Sequence, residues 1–383
     1  MKQLKYSAIA LALISSLAAC GGSGSDDTPV VEPETGFSFS ADEMIVNLSD
    51  DVIVSGYSIL ADRGTALLLA TQTLVATPTQ ANLEAAQAAW KDARQPWEQG
   101  ESHIFGPVDS LGIDPHLDSW PLNTTDLQTV LANSSGFDAD TIKVWNDDVQ
   151  GFHTMEYLLF GDGVNNNVKS IDELSANERD YLMGLAEVFR DYTRILADAW
   201  LVSHDGKSGA AYGELLKTPG TNGNTFYSSQ VGVIEELIKG MIGIVDEVGN
   251  GKIADPFGSS AQTADTSKVE SQYSWNSLTD FSDNIIGVRN VYQGEFTGEA
   301  DKQGIVDFVS AANPELATRV GREIDEAILQ IRAIAGTNNM PFRQAIQDTA
   351  GRVRVQKAVD ALSKLQTSLQ NEVLPLLQEW QGK

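Results

Sequence analysis

The 383-residue sequence has a single cysteine and only four histidines. One cysteine cannot form an intramolecular disulfide, so no disulfide framework supports this fold. The scarcity of histidine restricts metal chemistry, because a catalytic zinc site usually takes three protein ligands and leaves one position open. The H-E-x-x-H spacing of zinc peptidases does not occur, and Tyr157 stands where the inverted H-x-x-E-H spacing needs a histidine.

Basic residues are outnumbered by acidic ones, 26 against 53, which gives a net charge of −27. Such a surface repels nucleic acid and attracts cations, so no nucleic-acid partner is expected. The sequence also lacks a G-x-S-x-G nucleophile motif and a glycine-rich phosphate-binding loop. A serine-hydrolase or phosphate-binding function therefore finds no support.

The first twenty residues are typical of a secretory signal, since two lysines precede an apolar run that ends in Leu-Ala-Ala-Cys. This ending resembles the lipobox of bacterial lipoproteins, in which the cysteine, here Cys20, is acylated and becomes the mature N-terminus. An ordinary cleaved signal with a leftover thiol is the alternative. Residues 21–40 are rich in Gly, Ser, Pro and acids and are predicted to form a flexible tether. Because Gly21 is not aspartate, the lipobox resemblance favours the outer membrane, facing the periplasm or the exterior.

From about residue 41 the apolar residues are spaced as in helices, and no run shows sustained strand alternation. In Thr77-Pro78-Thr79-Gln80, an N-cap threonine, a proline and a glutamine suited to a capping box mark one helix start. Further helices are predicted at about 44–75, 140–160, 171–202, 226–249, 277–293, 313–334 and 342–380. The Gly- and Pro-rich stretch 203–225 separates them into two groups. The sequence therefore predicts an all-α fold of two tandem four-helix bundles, residues 41–204 and 205–383.

The segment DNIIGVRNVYQG echoes an earlier segment, DDVQGFHTMEYLLFG, which suggests an internal duplication. Aligned on their glycines, the second segment has Arg289 and Tyr292 where the first has His153 and Glu156. On this alignment only the first copy kept its histidine and glutamate. Arg289 and Tyr292 are then secondary site candidates, and Arg289 is suited to neutralising the carboxylate of a bound chelator.

In the segment GFHTMEYLLFG, His153 and Glu156 stand one helical turn apart. A helical wheel started at Ile142 places both inside the apolar arc and Gln150 outside it. A buried carboxylate needs a proton, a cation or a hydrogen-bond network. The two residues therefore either partner each other or other side chains in a packed core, or contribute to a metal site.

A second polar segment, RQPWEQGESHIFGPVDSLGIDPHLDSWP, covers residues 94–121. Pro96 is expected to kink the helix here, and Glu98 and Glu101 stand one turn apart beyond it. Three aspartates follow where Gly and Pro argue against regular helix: Asp109, Asp114 and Asp118. Two glutamates from one helix with a histidine and a glutamate from another form the inward-facing set with which helical bundles bind metals. Solvated acids on a loop are the alternative.

Both polar segments resemble the imelysin family. GFHTMEYLLFG is similar to its G-x-H-x-x-E signature, and the acidic segment is similar to a second family motif. Within that segment, the glutamate pair resembles E-x-x-E and DPHLD resembles D-P-x-[IL]-D of iron-uptake relatives. The stretches DPFG, VESQYSWNSLTD and NIIGVRNVYQG fit the same family, so the resemblance covers about residues 41–383. It implies two four-helix bundles, location in the cell envelope, a role in bacterial iron uptake, and a site lined by His153, Glu156, Glu101, Glu98 and Asp118.

Three functions remain open at this point: a metal binder in iron uptake, a metallopeptidase that uses the H-x-x-E motif, and a module that binds a peptide or polymer. One imidazole among several carboxylates suits iron, manganese or calcium better than a peptidase zinc. We therefore expect an envelope lipoprotein that binds iron or an iron chelate, with another divalent metal as the alternative. Its expected contacts are the membrane, through the lipid anchor, and an envelope iron-transport protein. Peptidase activity is left open by the residues.

Overall fold

The fold is known from a computed structural model, which describes residues 36–134, 136–296 and 302–381. Cys20, the signal and most of the tether lie outside these residues, so their assignments stay predictions. Across the described ranges the chain forms helices, turns and loops, with one isolated β-bridge. The all-α prediction is confirmed.

Eight helices serve as landmarks: α1 (Asp42–Ala76), α2 (Gln80–Gly100), α3 (Gly151–Phe160), α4 (Ala176–Leu201), α5 (Gln230–Asp246), α6 (Ser277–Gln293), α7 (Pro314–Ala333) and α8 (Thr349–Ser368). Shorter α-helices lie at Pro107–Ser110, Asp114–Asp118, Thr124–Asn133, Ala139–Ile142, Tyr212–Lys217, Asp255–Phe257, Ile305–Ala312, Phe342–Ala345 and Leu376–Glu379. Single 3-10 turns lie at Glu101–His103, Asp147–Val149, Ile171–Glu173, Thr266–Lys268 and Gly336–Asn338. Three stretches are π-helical: Leu48–Val54 within α1, Glu247–Ala254 after α5, and Leu369–Val373 after α8.

The helices pack in two groups of four that share a contact. In the first half, α1 packs along α2 and α4, and α3 packs on the same two helices. In the second half, α5 contacts α6 and α8, and α7 contacts the same pair. Helix α6 also packs directly on α2, and the described residues from Gly36 onward form one compact unit. The division at residue 204 and the internal duplication remain predictions.

Helix α1 is long and apolar enough to cross a membrane by length and composition alone. Many of its apolar residues are buried in the protein core, including Tyr57, Leu60, Leu67 and Leu74, whereas Val46 and Leu69 are exposed. Such burial against α2 and α4 is typical of a core helix.

Helix α2 begins two residues later than the capping pattern predicts. Thr79, not Thr77, is the N-cap, and its hydroxyl accepts a hydrogen bond from the Asn82 backbone N–H at 3.3 Å. The helix then continues through Pro96 to Gly100. The last helical turn therefore carries both Pro96 and Glu98 in regular helix.

The predicted helix 140–160 is wrong at its centre. The chain is helical at Ala139–Ile142, turns through a 3-10 segment and begins α3 only at Gly151. Gly151 has φ of +72°, a conformation that favours glycine, and a Cβ there would collide with the Leu117 carbonyl. The break also changes the wheel, because Gln150 is buried and not exposed.

The predicted helix 342–380 is divided into shorter helices. Asp348 caps α8 by accepting a hydrogen bond from the Gly351 N–H at 2.6 Å, so a new helix begins there. Near the end, Pro375 precedes the last short helix, and its ring removes one backbone donor. In contrast, the predicted helix 277–293 coincides with α6.

The two ends of the described chain meet. Phe37 forms the isolated parallel β-bridge with Trp380, and the Gln381 N–H donates to the Phe37 carbonyl at 2.9 Å. The indole of Trp380 is buried and donates to the Phe39 carbonyl at 3.1 Å. These contacts tie the first described residues to the last ones.

Candidate metal centre

A cluster of charged and polar side chains lies in the core where α2 meets α6. We call it the buried charge cluster, and its members are Arg94, Glu98, Glu101, Asp118, His153, Glu156, Lys252, Glu270, Ser274, Asp280 and Asn284. Each of these residues is at most 8% exposed, except that for Asp118 the value refers to the side chain, which is 5% exposed. Burial of so many charges requires internal pairing, which the contacts below describe.

Two glycines allow the helices that carry the cluster to approach closely. A Cβ on Gly287 of α6 would collide with the Gln99 carbonyl of α2, so these two backbones are in contact. That approach places Asp280 and Asn284 of α6 beside the end of α2. At the other side, Gly151 brings α3 against the helix Asp114–Asp118.

Arg94 is the cation at the centre of the cluster. Its guanidinium lies 2.5 Å from Asp118, 2.7 Å from Glu270 and 3.3 Å from Asp280, and it also contacts Glu98. The ring of Phe152 lies beneath it, 4.7 Å from the guanidinium carbon. Burial lowers the pKa of Arg94, but its carboxylate neighbours outweigh that effect and raise it.

His153 is held between two carboxylates. Its Nδ1 lies 3.1 Å from Oε2 of Glu156, and its Nε2 lies 3.0 Å from Oδ1 of Asp118. Burial disfavours the imidazolium, but these two carboxylates outweigh burial and raise the pKa of His153 to about 9. The Nε2–Asp118 approach lacks hydrogen-bond directionality, so Nε2 is a buried nitrogen without a hydrogen-bond partner. The ring of Trp120 packs edge-on against the imidazole at 4.6 Å.

Glu156 uses both carboxylate oxygens within the protein. Oε2 contacts His153, and Oε1 accepts hydrogen bonds from the Ser274 backbone N–H and hydroxyl, both at 2.7 Å. A carboxylate that contacts the far nitrogen of a histidine fixes the orientation of that ring. Glu156 therefore positions Nε2 of His153 toward Asp118.

Lys252 is the second cation of the cluster. Its Nζ lies 2.7 Å from Glu101, 3.2 Å from Glu270 and 3.5 Å from Glu98. The Asn284 amide joins the same glutamates, donating to Glu98 at 2.7 Å and to Glu101 at 2.6 Å. These contacts draw the ends of the two glutamates together.

The cluster contains more carboxylates than cations. Six carboxylates face two strongly basic side chains, Arg94 and Lys252, and one histidine. Burial raises the pKa of Glu101 to about 8. The charge of Lys252 opposes this rise, and the carboxylates of Glu270 and Glu247 add to it. Burial likewise raises the pKa of Asp280 to about 6, although Arg94 opposes it. For Asp118, Arg94 and then His153 outweigh burial and hold the pKa well below its usual range. The surplus of carboxylates over basic side chains is therefore partly compensated by bound protons.

A cleft of about 590 Å³ opens beside the cluster. Its lining includes six carboxylates and two lysines: Glu101, Asp114, Asp118, Glu247, Asp255, Glu270, Lys252 and Lys268. A second cleft of about 670 Å³ shares Glu101, Asp114 and Glu247 with it. The cluster is thus connected to the surface through an acidic lining.

The structure brings the principal predicted residues together. Glu98, Glu101 and Asp118 offer oxygens within 4.8 Å of one another, and Asp118, His153 and Glu270 offer another such set. A third set in the described residues is Glu98, Glu270 and Asp280. Glu156 belongs to none of the three sets, in keeping with its two occupied oxygens.

The secondary candidates lie at or outside the edge of the cluster. Asp114 lines the cleft from a short helix, where regular helix was not expected, and burial raises its pKa to about 7. Asp109 is exposed. Arg289 is partly exposed and lies 3.9 Å from Asp325, while the buried Tyr292 donates to the Ala317 carbonyl at 2.9 Å. Arg289 and Tyr292 contact no member of the cluster in these interactions.

Sequence reasoning missed the cations and the contribution of α6. Arg94, Lys252, Glu270, Asp280 and Asn284 were not singled out. A signal existed for two of them, because Asp280, Asn284 and Gly287 recur at helical spacing along a face of α6 that also carries Val288 and Val291. Polar residues on such a face indicate a buried polar contact.

Comparisons with known proteins agree with this fold. A sequence profile of the imelysin family, described as a peptidase family, matches residues 53–369. Iron-regulated protein A of Synechococcus elongatus is 29% identical over 336 residues, covering 88% of this chain and 86% of that protein.

Two solved structures share the fold. One, from Parabacteroides distasonis, carries the name iron-regulated protein A precursor; it has a TM-score of 0.76 and 28% identity, covering 89% of this chain and 96% of that one. An imelysin-like protein from Psychrobacter arcticum has a TM-score of 0.69 at 12% identity, covering 91% and 99%. The second likeness concerns the fold alone. With the family profile matching most of its length, this chain belongs to the imelysin family.

Proposed function

We propose that this protein binds a metal cation, iron in the first place, at the buried charge cluster and takes part in iron uptake at the cell envelope. The envelope location rests on the signal and lipobox of the sequence, with Cys20 as the lipid-anchored residue. An envelope iron-transport protein is the expected partner.

The observation that carries the proposal is the buried Nε2 of His153, which lies 3.0 Å from Asp118 without hydrogen-bond geometry, beside converging carboxylates. Nε2 is buried, has no hydrogen-bond partner, and lies among oxygens of Asp118 and Glu270 that are within 4.8 Å. An imidazole nitrogen with carboxylate oxygens is a donor set that suits Fe²⁺ and Mn²⁺. The residues therefore fit a metal, with Asp118, His153 and Glu270 as one ligand set and Glu98 and Glu101 adjacent.

The charge of the cleft favours a free cation over an anionic chelate. Six carboxylates and two lysines line the 590 Å³ cleft beside the cluster. A lining of one predominant sign concentrates ions of the opposite sign and repels those of the same sign. A hydrated metal cation is thus the ligand that this cleft accepts most readily.

The assignment to iron draws on the relatives. The names of the Synechococcus elongatus protein and of the Parabacteroides distasonis structure both describe an iron-regulated protein A. A donor set rich in oxygen, with one imidazole, is compatible with iron and gives no preference for zinc.

Metal analysis tests this proposal. Protein purified without chelators is analysed for metals and titrated with Fe²⁺ under anaerobic conditions, beside His153→Ala and the control His116→Ala. His116 lies outside the cluster, with Nδ1 2.6 Å from Asp147. We expect metal binding in the wild type and in His116→Ala, and its loss in His153→Ala.

The same preparation is incubated with a peptide library, and cleavage of the peptides is measured, to examine the peptidase description of the family. Peptide hydrolysis by zinc requires an open metal position and a positioned base. Glu156 already spends both oxygens on His153 and Ser274, so the cluster offers no free base at that position. Cleavage that disappears in Glu156→Ala, in a protein without iron affinity, would reverse the proposal.

A further inference from the structure

Lys252 occupies a position in which carboxylates converge as they do around a cation. Its Nζ contacts Glu101, Glu270 and Glu98 at 2.7, 3.2 and 3.5 Å. Two of these residues, Glu98 and Glu101, also belong to a set of oxygens that lie close enough to hold a metal ion. The ammonium and a metal bound there would compete for the same oxygens.

We propose that Lys252 is an internal substitute for the metal: it holds the carboxylates together in the metal-free protein and moves into the cleft when a cation binds. This inference rests on the metal-binding function proposed above and names the residue that controls it.

The position of Lys252 in the fold permits such a movement. Its side chain lines the 590 Å³ cleft, and a lysine has a flexible four-carbon stem with a compact charge. It lies in the π-helical stretch Glu247–Ala254, between Gly251 and Ile253, and π-helical turns are frequent at functional sites. Glu247 lines the same cleft and offers a carboxylate to the displaced ammonium.

Arg94, the other cation of the cluster, is placed differently. It is 0% exposed, is absent from the cleft lining, and is held by four carboxylates and the ring of Phe152. An arginine with several carboxylate contacts on a regular helix has little freedom to leave. The two cations thus have separate roles: Arg94 is permanent, and Lys252 is exchangeable.

Chemical labelling of the wild type tests the displacement directly. Metal-free protein and protein loaded with Mn²⁺ or Fe²⁺ are treated with an amine-acetylating reagent, and the modified lysines are identified by mass spectrometry. A buried, paired amine reacts slowly, so we expect Lys252 to become more reactive on metal loading. Lys268, which lines the same cleft but is 48% exposed and paired with Asp255, should react equally in both states.

Two variants test the competition. Lys252→Met removes the ammonium and keeps the length of the side chain, whereas Lys268→Met removes one positive charge from the same cleft without touching the cluster. We expect Lys252→Met to raise Mn²⁺ affinity about ten-fold or more. In this variant the lysine ammonium no longer competes with Mn²⁺ for the carboxylates or repels it at contact distance. Lys268→Met should change it far less, and the metal-free Lys252→Met protein should melt at a lower temperature.

The outcomes separate this inference from the function on which it rests. The displacement is overturned if the labelling of Lys252 does not change on metal loading and the two variants bind Mn²⁺ with equal affinity. The proposed function still holds in that case if the wild type binds metal and His153→Ala does not. Absence of metal binding in the wild type overturns both. Should Lys252→Met fail to fold, the labelling of the wild type still decides the question.

Discussion

The guanidinium of Arg94 in α2 lies 3.3 Å from the carboxylate of Asp280 in α6, although 186 positions of sequence separate them. This ion pair crosses between the two groups of helices. Because both side chains are fully buried, neither can turn to water if its partner is lost.

Replacement of Arg94 by methionine should therefore destabilise the whole protein. The substitution leaves the carboxylates of Asp118, Glu270 and Asp280 without their shared cation, and removal of one partner from a buried pair costs about 3–5 kcal/mol. Chemical denaturation measures the loss in the free energy of unfolding. The control is Arg63→Met, because Arg63 is 48% exposed and 3.9 Å from Asp92, where a surface pair contributes about 0–1 kcal/mol. Equal losses in the two variants would contradict a central role for Arg94.

Glu156→Gln should weaken metal binding without abolishing it. Glu156 orients His153 and is held by Ser274, so it acts through the imidazole. Loss of such a supporting carboxylate typically reduces metal affinity about 10–100-fold. Isothermal titration measures the affinity beside His153→Ala, which should show no binding, and Arg289→Ala, which should bind as the wild type does. A loss in Glu156→Gln as complete as in His153→Ala would make Glu156 a direct ligand.

The metal-free protein should lose stability as the pH rises from about 6.5 to 9. The raised pKa values of Asp114, Glu101 and His153, about 7, 8 and 9, mean that the folded chain holds protons that the unfolded chain has released. Stability falls with pH wherever the folded state binds more protons, by about 1.4 kcal/mol per pH unit for each one. Thermal melting across this range measures the slope.

Glu101→Gln isolates one contribution to that slope. The amide does not titrate, so the proton held by Glu101 below its pKa of about 8 no longer contributes. We expect a shallower decline in this variant than in the wild type, and a shallower decline in the wild type when Mn²⁺ is present. Glu326 is exposed, and the control Glu326→Gln should follow the wild-type slope. If Glu101→Gln also shows the wild-type slope, Glu101 does not contribute to the pH dependence.

Substitution of Gly151 or Gly287 by alanine should destabilise the protein and disturb the buried charge cluster. Gly151 has φ of +72°, and at Gly287 a Cβ would collide with the backbone of α2. We expect losses in the free energy of unfolding of more than about 1 kcal/mol for each. Gly243→Ala in α5 is the matched control, because a Cβ there meets nothing within 4 Å and should stabilise the helix slightly. Urea denaturation of the three variants compares them.

Cys20→Ser should release the protein from the membrane. If Cys20 is the acylated N-terminus, the wild type requires detergent for extraction and the variant does not. Mass spectrometry of the mature wild-type protein should show an acylated cysteine at its first position. A mature chain that begins elsewhere, with a free thiol at Cys20, would contradict the lipobox assignment.

Much of the architecture and the core of the site could be predicted because they depend on local spacing. His153 and Glu156 face the same side of α3 wherever the helix begins, since residues three apart are neighbours on a helix. Glu98 and Glu101 lie together for the same reason, although Glu101 falls in the 3-10 turn after α2. The helical period along α6 sufficed to place it at residues 277–293.

The remaining features depend on contacts between distant parts of the chain. Lys252 stands in the glycine-flanked stretch GNGKIAD, where no apolar pattern marks it as buried. Arg94 reads as an ordinary polar residue of α2 until α6 brings Asp280 to it. Gly151, where α3 begins, lies against the backbone of Leu117, a contact that a helical wheel does not represent.

The bridge between Phe37 and Trp380 makes the chain a candidate for circular permutation. Because the Gln381 N–H already bonds to the Phe37 carbonyl, a short peptide linker could join these two residues with little strain. New termini could be opened at Gly223, an exposed turn residue beside which a Cβ would meet nothing within 4 Å. Such a permutant would be synthesised with α5 to α8 ahead of α1 to α4. Its refolding with an intact ion pair between Arg94 and Asp280 would show that the two groups of helices assemble independently of the order in which the ribosome makes them.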